Sequence, residues 1–165
     1  MRELPTILID SREKYPLRFP PGVVTQTIEM REGGDYTTPA LRGFATWERK
    51  EEVEIRDCMS NKRAMFIEKP TSQAARLSQF KYAVIVVAGT FEHCFSECER
   101  EYALRRDHNP PLRGFHPNSF LATIKTLHER FGLQIEWAGD SHGVAQFVLE
   151  QICWCHLVGI PYDRG

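Results

Sequence analysis

The feature that most constrains the fold is an unbroken apolar run, Ala83-Val84-Ile85-Val86-Val87-Ala88. Its centre is β-branched throughout, which favours a β-strand. A strand with one face in water alternates apolar and polar residues, whereas an unbroken run is typical of a strand buried on both faces. The run therefore predicts the centre of a sheet with helices on both of its faces, and Gly89 is expected to end the strand.

The N-terminal third of the chain is predicted to supply most of the other strands. Residues 6–10 have the pattern of a short buried strand that ends in an acid, Asp10. Further strands are predicted at residues 23–29, from Asp35 onwards after the turn signal Gly33-Gly34, and at residues 44–50. We expect this part of the chain to fold as a meander of neighbouring strands.

Helical patterns alternate with strands in the rest of the chain. Helices are predicted at residues 53–65, 71–80, 91–102, 118–131 and from 141 onwards, and a last strand at residues 133–137. Asn118 or Ser119 is the expected N-cap of the fourth helix and Gly132 its end, while residues 105–117 are expected to form a loop. This order predicts a single α/β domain over residues 1–165, in which helices flank both faces of a central mixed sheet.

Composition argues against several classes of protein. No stretch approaches the about 18 consecutive apolar residues of a membrane span, and the N-terminus lacks the basic-then-apolar pattern of a secretory signal. The five cysteines are an odd count without an export signal, so reduced thiols fit better than a disulfide framework. We therefore expect a cytoplasmic protein without a membrane partner.

Charged residues on the strand at 44–50 indicate a metal-dependent hydrolytic site. Side chains alternate along a strand, so Glu48 and Lys50 are expected on one face and Arg49 on the other. Asp35 meets Glu48 and Lys50 if its strand pairs with theirs. Phosphodiester hydrolysis needs a cation held by oxygen ligands, an activated water and a positive group. An aspartate followed by E-x-K on a hairpin is the PD-(D/E)xK nuclease arrangement, although an acid and a lysine two residues apart also occur by chance.

Three linked motifs make this interpretation specific. They are Ile9-Asp10-Ser11-Arg12-Glu13, Gly34-Asp35-Tyr36 and Glu48-Arg49-Lys50. In this order they resemble the XPF family of structure-specific endonucleases, which have a restriction-endonuclease-like fold. Arg76-Leu77-Ser78-Gln79, Asn118-Ser119 and Arg130-Phe131-Gly132 are similar to that family's nuclease domain as well. The resemblance therefore covers nearly the whole chain.

The resemblance implies a magnesium-dependent DNA endonuclease that cuts branched, forked or flapped DNA in repair or recombination, with Mn²⁺ able to replace Mg²⁺. It implies that the acids Asp10, Glu13, Asp35 and Glu48 surround the metal. Lys50 would steer the attacking water or stabilise charge, and Arg49 would contact phosphate or brace the acids. Glu54 stands where the family has an aspartate and is included as a candidate ligand.

Electrostatics predicts how such a cluster behaves without metal. Two carboxylates 4 Å apart repel by about 4 kcal/mol at an effective dielectric near 20. We expect relief through a raised carboxylate pKa or through ion pairs with Lys50 and Arg49. Central acids also explain why the net charge is only −1, since they offset basic residues around the rim.

The family's helix-hairpin-helix DNA-binding domain is absent from these 165 residues, so we expect a partner protein or a homodimer to contribute to substrate binding. The helices after Asn118 are the expected dimer surface. A minimal domain of this kind fits a phage or prokaryotic origin. Candidate DNA-contacting residues are Arg12, Arg76, Arg105, Arg106 and Arg113; for the last three the alternative is a solvated loop.

Three alternatives remain open at this point. The first is a catalytically inactive module of the same fold that binds a DNA junction or serves as a scaffold, and the second is a restriction enzyme that cuts a specific duplex sequence. The third concerns a zinc site, for which the candidate ligands are His93, Cys94, Cys98, Cys153, Cys155 and His156. These lack the paired C-x-x-C spacing of structural zinc, and cysteines commonly fill cores.

Overall fold

The computed structural model describes residues 4–108 and 116–158, and these form one six-stranded sheet with helices on both sides. The strands are β1 Ile7–Asp10, β2 Thr25–Ile28, β3 Tyr36–Thr37, β4 Ala45–Glu51, β5 Tyr82–Ala88 and β6 Gln134–Trp137. Their spatial order is β2-β1-β3-β4-β5-β6. β3 is antiparallel to β1 and β4, and the other neighbours are parallel, so the sheet is mixed as predicted.

Five α-helices and one π-helical segment cover the sheet. They are α1 Glu52–Met59, the π-helical segment Ala64–Glu68, α2 Gln73–Leu77, α3 Phe91–Arg106, α4 Pro117–Phe131 and α5 Ser141–Val158. None of the helices in the described ranges is long and apolar enough to cross a membrane.

Two apolar cores form because β5 is buried on both faces. Val84 and Val86 pack in one core with the inner side of α5, while Ile85 packs in a second core with residues of α1 to α4. Burial of each such side chain contributes about 1.5–3 kcal/mol. Trp47 on β4 is fully buried. The predicted α/β fold with helices on both faces is therefore confirmed.

The predicted meander is wrong. β2 does not follow β1 as an antiparallel neighbour but lies parallel to it at the edge of the sheet, and β3 takes the other side of β1. The burial of the strands explains this order. Every residue of β1 is buried, which requires neighbours on both sides, whereas the polar Thr-Gln-Thr start of β2 is exposed and suits an edge.

Several helix limits also differ from the prediction. The helix expected at 53–65 ends at Met59 and is followed after a turn by the π-helical segment. The ends of the loop expected at 105–117 differ, since α3 runs to Arg106 and α4 begins at Pro117; residues 109–115 lie outside the described residues. His116 is the N-cap of α4, since its ring accepts from the N–H of Asn118 at 3.1 Å and proline favours the first helical position. Gly132, with φ 66°, ends α4 as predicted.

The zinc alternative finds no support in the packing. Cys94 and Cys98 belong to the core between the sheet and α1 to α4, whereas Cys155 belongs to the core on the opposite face. His93 pairs with Glu52 at 2.5 Å instead. The cysteines are free thiols that fill space in the two cores or at their margins.

Candidate active site

The predicted site residues meet in one cleft of about 550 Å³ at the ends of β1 and β4. Antiparallel pairing of β3 with both neighbours places its start beside the ends of those strands, and this brings together three motifs distant in the chain. The predicted residues that line the cleft are Asp10, Arg12, Glu13, Asp35, Glu48, Arg49, Lys50, Glu54 and Arg76.

Backbone hydrogen bonds hold Asp35 between β1 and β4. Its C=O accepts from the N–H of Asp10 at 2.9 Å, and its N–H donates to the C=O of Trp47 at 3.0 Å. The N–H of Arg49 then donates to the Asp35 carboxylate at 2.9 Å. Because these bonds come from both neighbouring strands, the side chain at position 35 is fixed at the floor of the cleft.

Gly34 permits this arrangement. Its φ of 80° is in the left-handed region, and a Cβ at this position would lie 1.8 Å from Oγ1 of Thr46 on β4. Any other residue would therefore both strain the turn and push β3 away from β4. The glycine of the Gly34-Asp35-Tyr36 motif thus sets the approach that brings Asp35 close to Glu48.

Glu48 and Lys50 lie on one face of β4, as the strand period predicts. The Lys50 ammonium donates to Oε1 of Glu48, and the side-chain amide of Gln73 donates to the same oxygen at 2.5 Å. Both charged groups are largely removed from water, since Glu48 is 4% exposed and the Lys50 side chain 12%. Sequence reasoning missed Gln73. It is the first residue of α2 after the N-cap Ser72, but no local pattern indicates that its side chain reaches Glu48.

The electrostatics of Asp35, Glu48 and Lys50 match the prediction for such an acid cluster, which was a raised carboxylate pKa or an ion pair with Lys50. Burial, with a further contribution from the charge on Glu48, raises the pKa of Asp35 to about 8 despite the opposing effect of Lys50. Burial also disfavours the charge on Lys50, but Glu48 and Asp35 outweigh this effect and raise its pKa. Asp35 thus holds a proton at neutral pH while the lysine remains charged.

Asp10 and Glu13 are each paired with an arginine. Arg12 donates to the Asp10 carboxylate from its backbone N–H at 3.0 Å and from its guanidinium, and it also donates to the C=O of Met30 at 2.6 Å. Burial alone would raise the pKa of Asp10, but these hydrogen bonds outweigh it and lower that pKa. Glu13 lies 3.6 Å from the Arg49 guanidinium and accepts from the N–H of Tyr15 at 2.7 Å.

Arg49 extends to the opposite face of β4, as predicted. Its buried guanidinium pairs with Glu13 and Glu51 and donates to the C=O of Tyr15 at 3.3 Å and the hydroxyl of Ser141 at 3.4 Å. These contacts join β4 to α5 and to the segment after β1. Of the two roles expected for Arg49, they favour bracing the acids over contacting phosphate.

Two further candidates line the edge of the cleft. The Glu54 carboxylate accepts from the N–H of Glu51 at 2.9 Å, which caps the start of α1. Arg76 donates to the C=O of Thr71 at 3.1 Å and packs beside Gly33. Both side chains are therefore supported by local contacts.

The remaining basic candidates lie elsewhere. Arg105 and Arg106 are in the last turn of α3 and do not belong to the described residues that line the cleft. Arg106 pairs with Asp107 at 2.8 Å. Arg113 lies outside the described residues.

The donor set of the cleft has the chemistry that Mg²⁺ prefers. Within residues 4–108 and 116–158, no three His, Cys, Asp or Glu side chains form a ready-made metal cage. Mg²⁺ usually takes only one or two carboxylates and keeps waters and substrate phosphate as its other ligands. Asp35 and Glu48, which interact electrostatically across the β3–β4 pair, are two such carboxylates.

The solved structures to which this chain is similar include two of XPF from Aeropyrum pernix. The one in complex with DNA has a TM-score of 0.63 and 20% sequence identity, over 97% of this chain and 68% of the other. The second has a TM-score of 0.59 and 18% identity, over 92% of this chain and 65% of the other. No protein-family model and no curated protein sequence matches. The likeness confirms the XPF-like fold that the three motifs predict.

Proposed function

We propose that this chain is a magnesium-dependent DNA endonuclease that hydrolyses phosphodiester bonds at branched, forked or flapped DNA. One observation carries the proposal: Asp35, Glu48 and Lys50 meet in one cleft, where Lys50 is paired with Glu48 and interacts electrostatically with Asp35. The similarity in fold to XPF, in a structure that contains DNA, favours DNA as the substrate.

In this proposal Asp35 and Glu48 hold the cation. A magnesium ion held there would polarise the phosphate and lower the pKa of a water molecule. Asp35 would release its proton to solvent when the cation binds, because a positive charge nearby favours the carboxylate form. Gln73 keeps Glu48 oriented through its hydrogen bond to Oε1. The buried position of both acids strengthens their attraction for a cation.

Lys50 supplies the positive group. An ammonium has three donors, and one of them is directed to Glu48. The other donors serve the attacking water or the charge that develops on the phosphate, which is the role of a preorganised positive group in this chemistry. The raised pKa of Lys50 keeps its ammonium group protonated throughout the physiological pH range.

Asp10 and Glu13 complete the acid set from the outer part of the cleft. Asp10 would act on the cation through water or after Arg12 has moved to a DNA phosphate, whereas Glu13, paired with Arg49, would act through water. The Arg12 side chain is 64% exposed, which leaves it room for such an exchange. Arg49 is buried and remains a brace.

Cleavage of a labelled DNA fork tests the proposal. The fork should be cut with Mg²⁺ or Mn²⁺ and not with EDTA, and Asp35→Asn or Lys50→Ala should abolish cutting while leaving binding in place. Arg100→Ala, which removes an exposed cation on α3, is the matched control and should cut normally. A fork that is bound but never cut would support the inactive junction-binding module instead. Discrete fragments from plain linear duplex would support a sequence-specific restriction enzyme.

We also propose a homodimer formed through the helices after Asn118. Exposed apolar side chains favour α5 as this surface, with Trp154, Leu157 and Val158 near its end, whereas α4, on the opposite face of the sheet, exposes Leu121. Light scattering at micromolar concentration measures the mass in solution, and a monomer mass would contradict the dimer.

A further inference from the structure

Tyr15 is an exposed aromatic residue at the border of the active cleft. Its side chain is 76% exposed, the largest exposure among the exposed large apolar residues in the described part of the chain. It lines the cleft and also a second groove of about 790 Å³, which continues from the cleft past β1 and β2 towards α5. The two cavities share Lys14, Tyr15 and Arg49.

The backbone of Tyr15 is fixed by the residues of the active site. Its N–H donates to the Glu13 carboxylate at 2.7 Å, and its C=O accepts from the Arg49 guanidinium at 3.3 Å. Two residues later, the buried Leu17 donates its N–H to the hydroxyl of Tyr36 at 3.0 Å. The aromatic ring is therefore presented to solvent from an anchored segment, and a rigid, exposed aromatic beside a cleft is typical of a contact surface.

Two cations close to Tyr15 in the sequence have no acidic partner in the part of the chain that the structure describes. Lys14 and Arg18 are exposed and line the second groove, and within the described residues neither has a carboxylate within 4.0 Å. Most arginines in the described ranges are paired with an acid, as Arg12, Arg42 and Arg100 illustrate. In the sequence, Lys14 precedes the aromatic residue and Arg18 follows it. Such a combination of cations and an aromatic ring is typical of surfaces that bind single-stranded nucleic acid.

We infer that the second groove binds an unpaired DNA strand next to the cleavage site, with Tyr15 stacked on a nucleobase and Lys14 and Arg18 on the flanking phosphates. This inference rests on the proposed nuclease function and deepens it. In a duplex both faces of each base are already stacked, so an aromatic side chain on the surface reaches only a base that has left the helix. The groove also has an apolar wall that includes Ile9 and Leu17, which suits a base and sugar better than phosphate alone.

Equilibrium binding in EDTA separates this inference from cleavage. The probes are a fork with a 2-aminopurine in its single-stranded arm and a duplex of the same length. Tyr15→Ala should bind the fork about tenfold more weakly and lose the quenching of 2-aminopurine, because stacking on one base is removed. Tyr15→Phe keeps the ring and should bind within about twofold of the wild type. Duplex binding should be unchanged in both variants.

The cations are tested through salt dependence. Lys14→Ala and Arg18→Ala should each reduce the slope of log affinity against log salt for the fork by about one. Leu104→Ala and Arg100→Ala, two exposed positions on α3 outside both cavities, are the matched controls and should leave affinity and slope unchanged. Thermal melting of every variant should match the wild type, since the altered side chains are exposed.

Several outcomes would overturn the inference. Equal affinity of Tyr15→Ala and wild type for the fork, or an equal loss for fork and duplex, would exclude stacking on an unpaired base. Loss of cleavage with unchanged fork binding would mean that Tyr15 acts only by positioning Glu13 and Arg49. If the fork binds and quenches as expected but is never cut with metal, the proposed nuclease function fails while the binding inference holds.

Discussion

The cleft contains two groups of acids that the protein treats in opposite ways. In the outer group, Asp10 and Glu13 are each paired with an arginine, whereas the inner group, Asp35 and Glu48, has Lys50, which is paired with Glu48 and interacts electrostatically with Asp35. As a result the pKa of Asp10 is lowered, and burial together with Glu48 raises that of Asp35 to about 8. The same residue type is thus a charged structural partner at one position and a proton holder at the other.

This difference indicates what each group does. A neutralised acid stabilises the fold, because its hydrogen bonds offset the loss of water. Excess buried negative charge lowers the stability of the folded protein unless a cation binds. Proteins keep such unfavourable arrangements at functional sites. We therefore expect variants of the inner group to change activity and ion binding, and variants of the outer group mainly to change stability.

The largest expected effect is on the cleavage rate. Lys50→Ala should lower the single-turnover rate on a DNA fork by at least about 100-fold, since removal of one preorganised charge-stabilising group costs that much in comparable sites. Arg12→Ala, the matched change in the outer group, should lower it by less than about tenfold, as expected for one exposed charge-assisted contact. Equal losses in the two variants would remove the distinction between the groups.

The geometry that creates the inner group is tested at Gly34. Gly34→Ala should destabilise the folded protein by about 2–5 kcal/mol, the sum of left-handed backbone strain and overpacking against Thr46. Gly33→Ala is the matched control, because it has a positive φ but its Cβ would lie 3.9 Å from the nearest side chain. Urea unfolding measures both. A similarly small loss of stability in both variants would show that the position of Asp35 does not depend on the close approach of β3 to β4.

The pH dependence of stability should have opposite signs at the two aspartates. The folded pKa of Asp35 lies above its ordinary value of 3.8, so the folded protein keeps a proton that the unfolded chain releases. Without metal, its contribution therefore lowers the free energy of unfolding as pH rises from about 4 to about 8. Asp35→Asn should remove this slope and stabilise the metal-free protein at pH 8 by at least about 1.4 kcal/mol, the equivalent of one pKa unit.

Asp10 provides the contrast. Its folded pKa is lowered, so it contributes stability above its ordinary pKa of 3.8 that is lost as pH falls through the folded pKa. Asp10→Asn should therefore destabilise the protein at neutral pH, by about 1.5–3 kcal/mol for the loss of charge-assisted hydrogen bonds. Urea unfolding in EDTA between pH 4 and pH 9 tests both variants. Destabilisation by Asp35→Asn at pH 8 would contradict the assignment.

The smallest effect is expected at Glu54. Glu54→Ala should cost about 0.5–1 kcal/mol, the value of one helix cap, and leave the cleavage rate within about twofold, because its carboxylate already serves the start of α1. A rate loss comparable to that of Lys50→Ala would instead assign Glu54 to the inner group as a ligand.

The sequence predicted which residues line the cleft better than it predicted which acid pairs with which cation. The alternation of side chains along a strand places Glu48 and Lys50 on one face and Arg49 on the other, and this is a local property of the sequence. The order of the motifs predicts that Asp35 meets them, because its strand directly precedes theirs in the chain. Which arginine neutralises which acid depends on side-chain geometry between segments, as the contact of Arg49 with Glu13 illustrates. The position of β2 was missed for a similar reason, since strand order depends on the path of the connection.

The parallel pairing of β1 and β2 places the segment that connects them outside the sheet, where its exposed side chains can be changed. Residues 11–24 must return along the whole length of β1, and they do so outside the sheet without a helix. This crossover includes Tyr15 and Arg18, whereas Asp35, Glu48 and Lys50 lie on or beside the framework strands. Substitution of the exposed side chains of Lys14, Tyr15 and Arg18 is therefore expected to alter the proposed strand binding, whereas the buried Leu17 and the backbone contacts of Tyr15 with Glu13 and Arg49 should be kept.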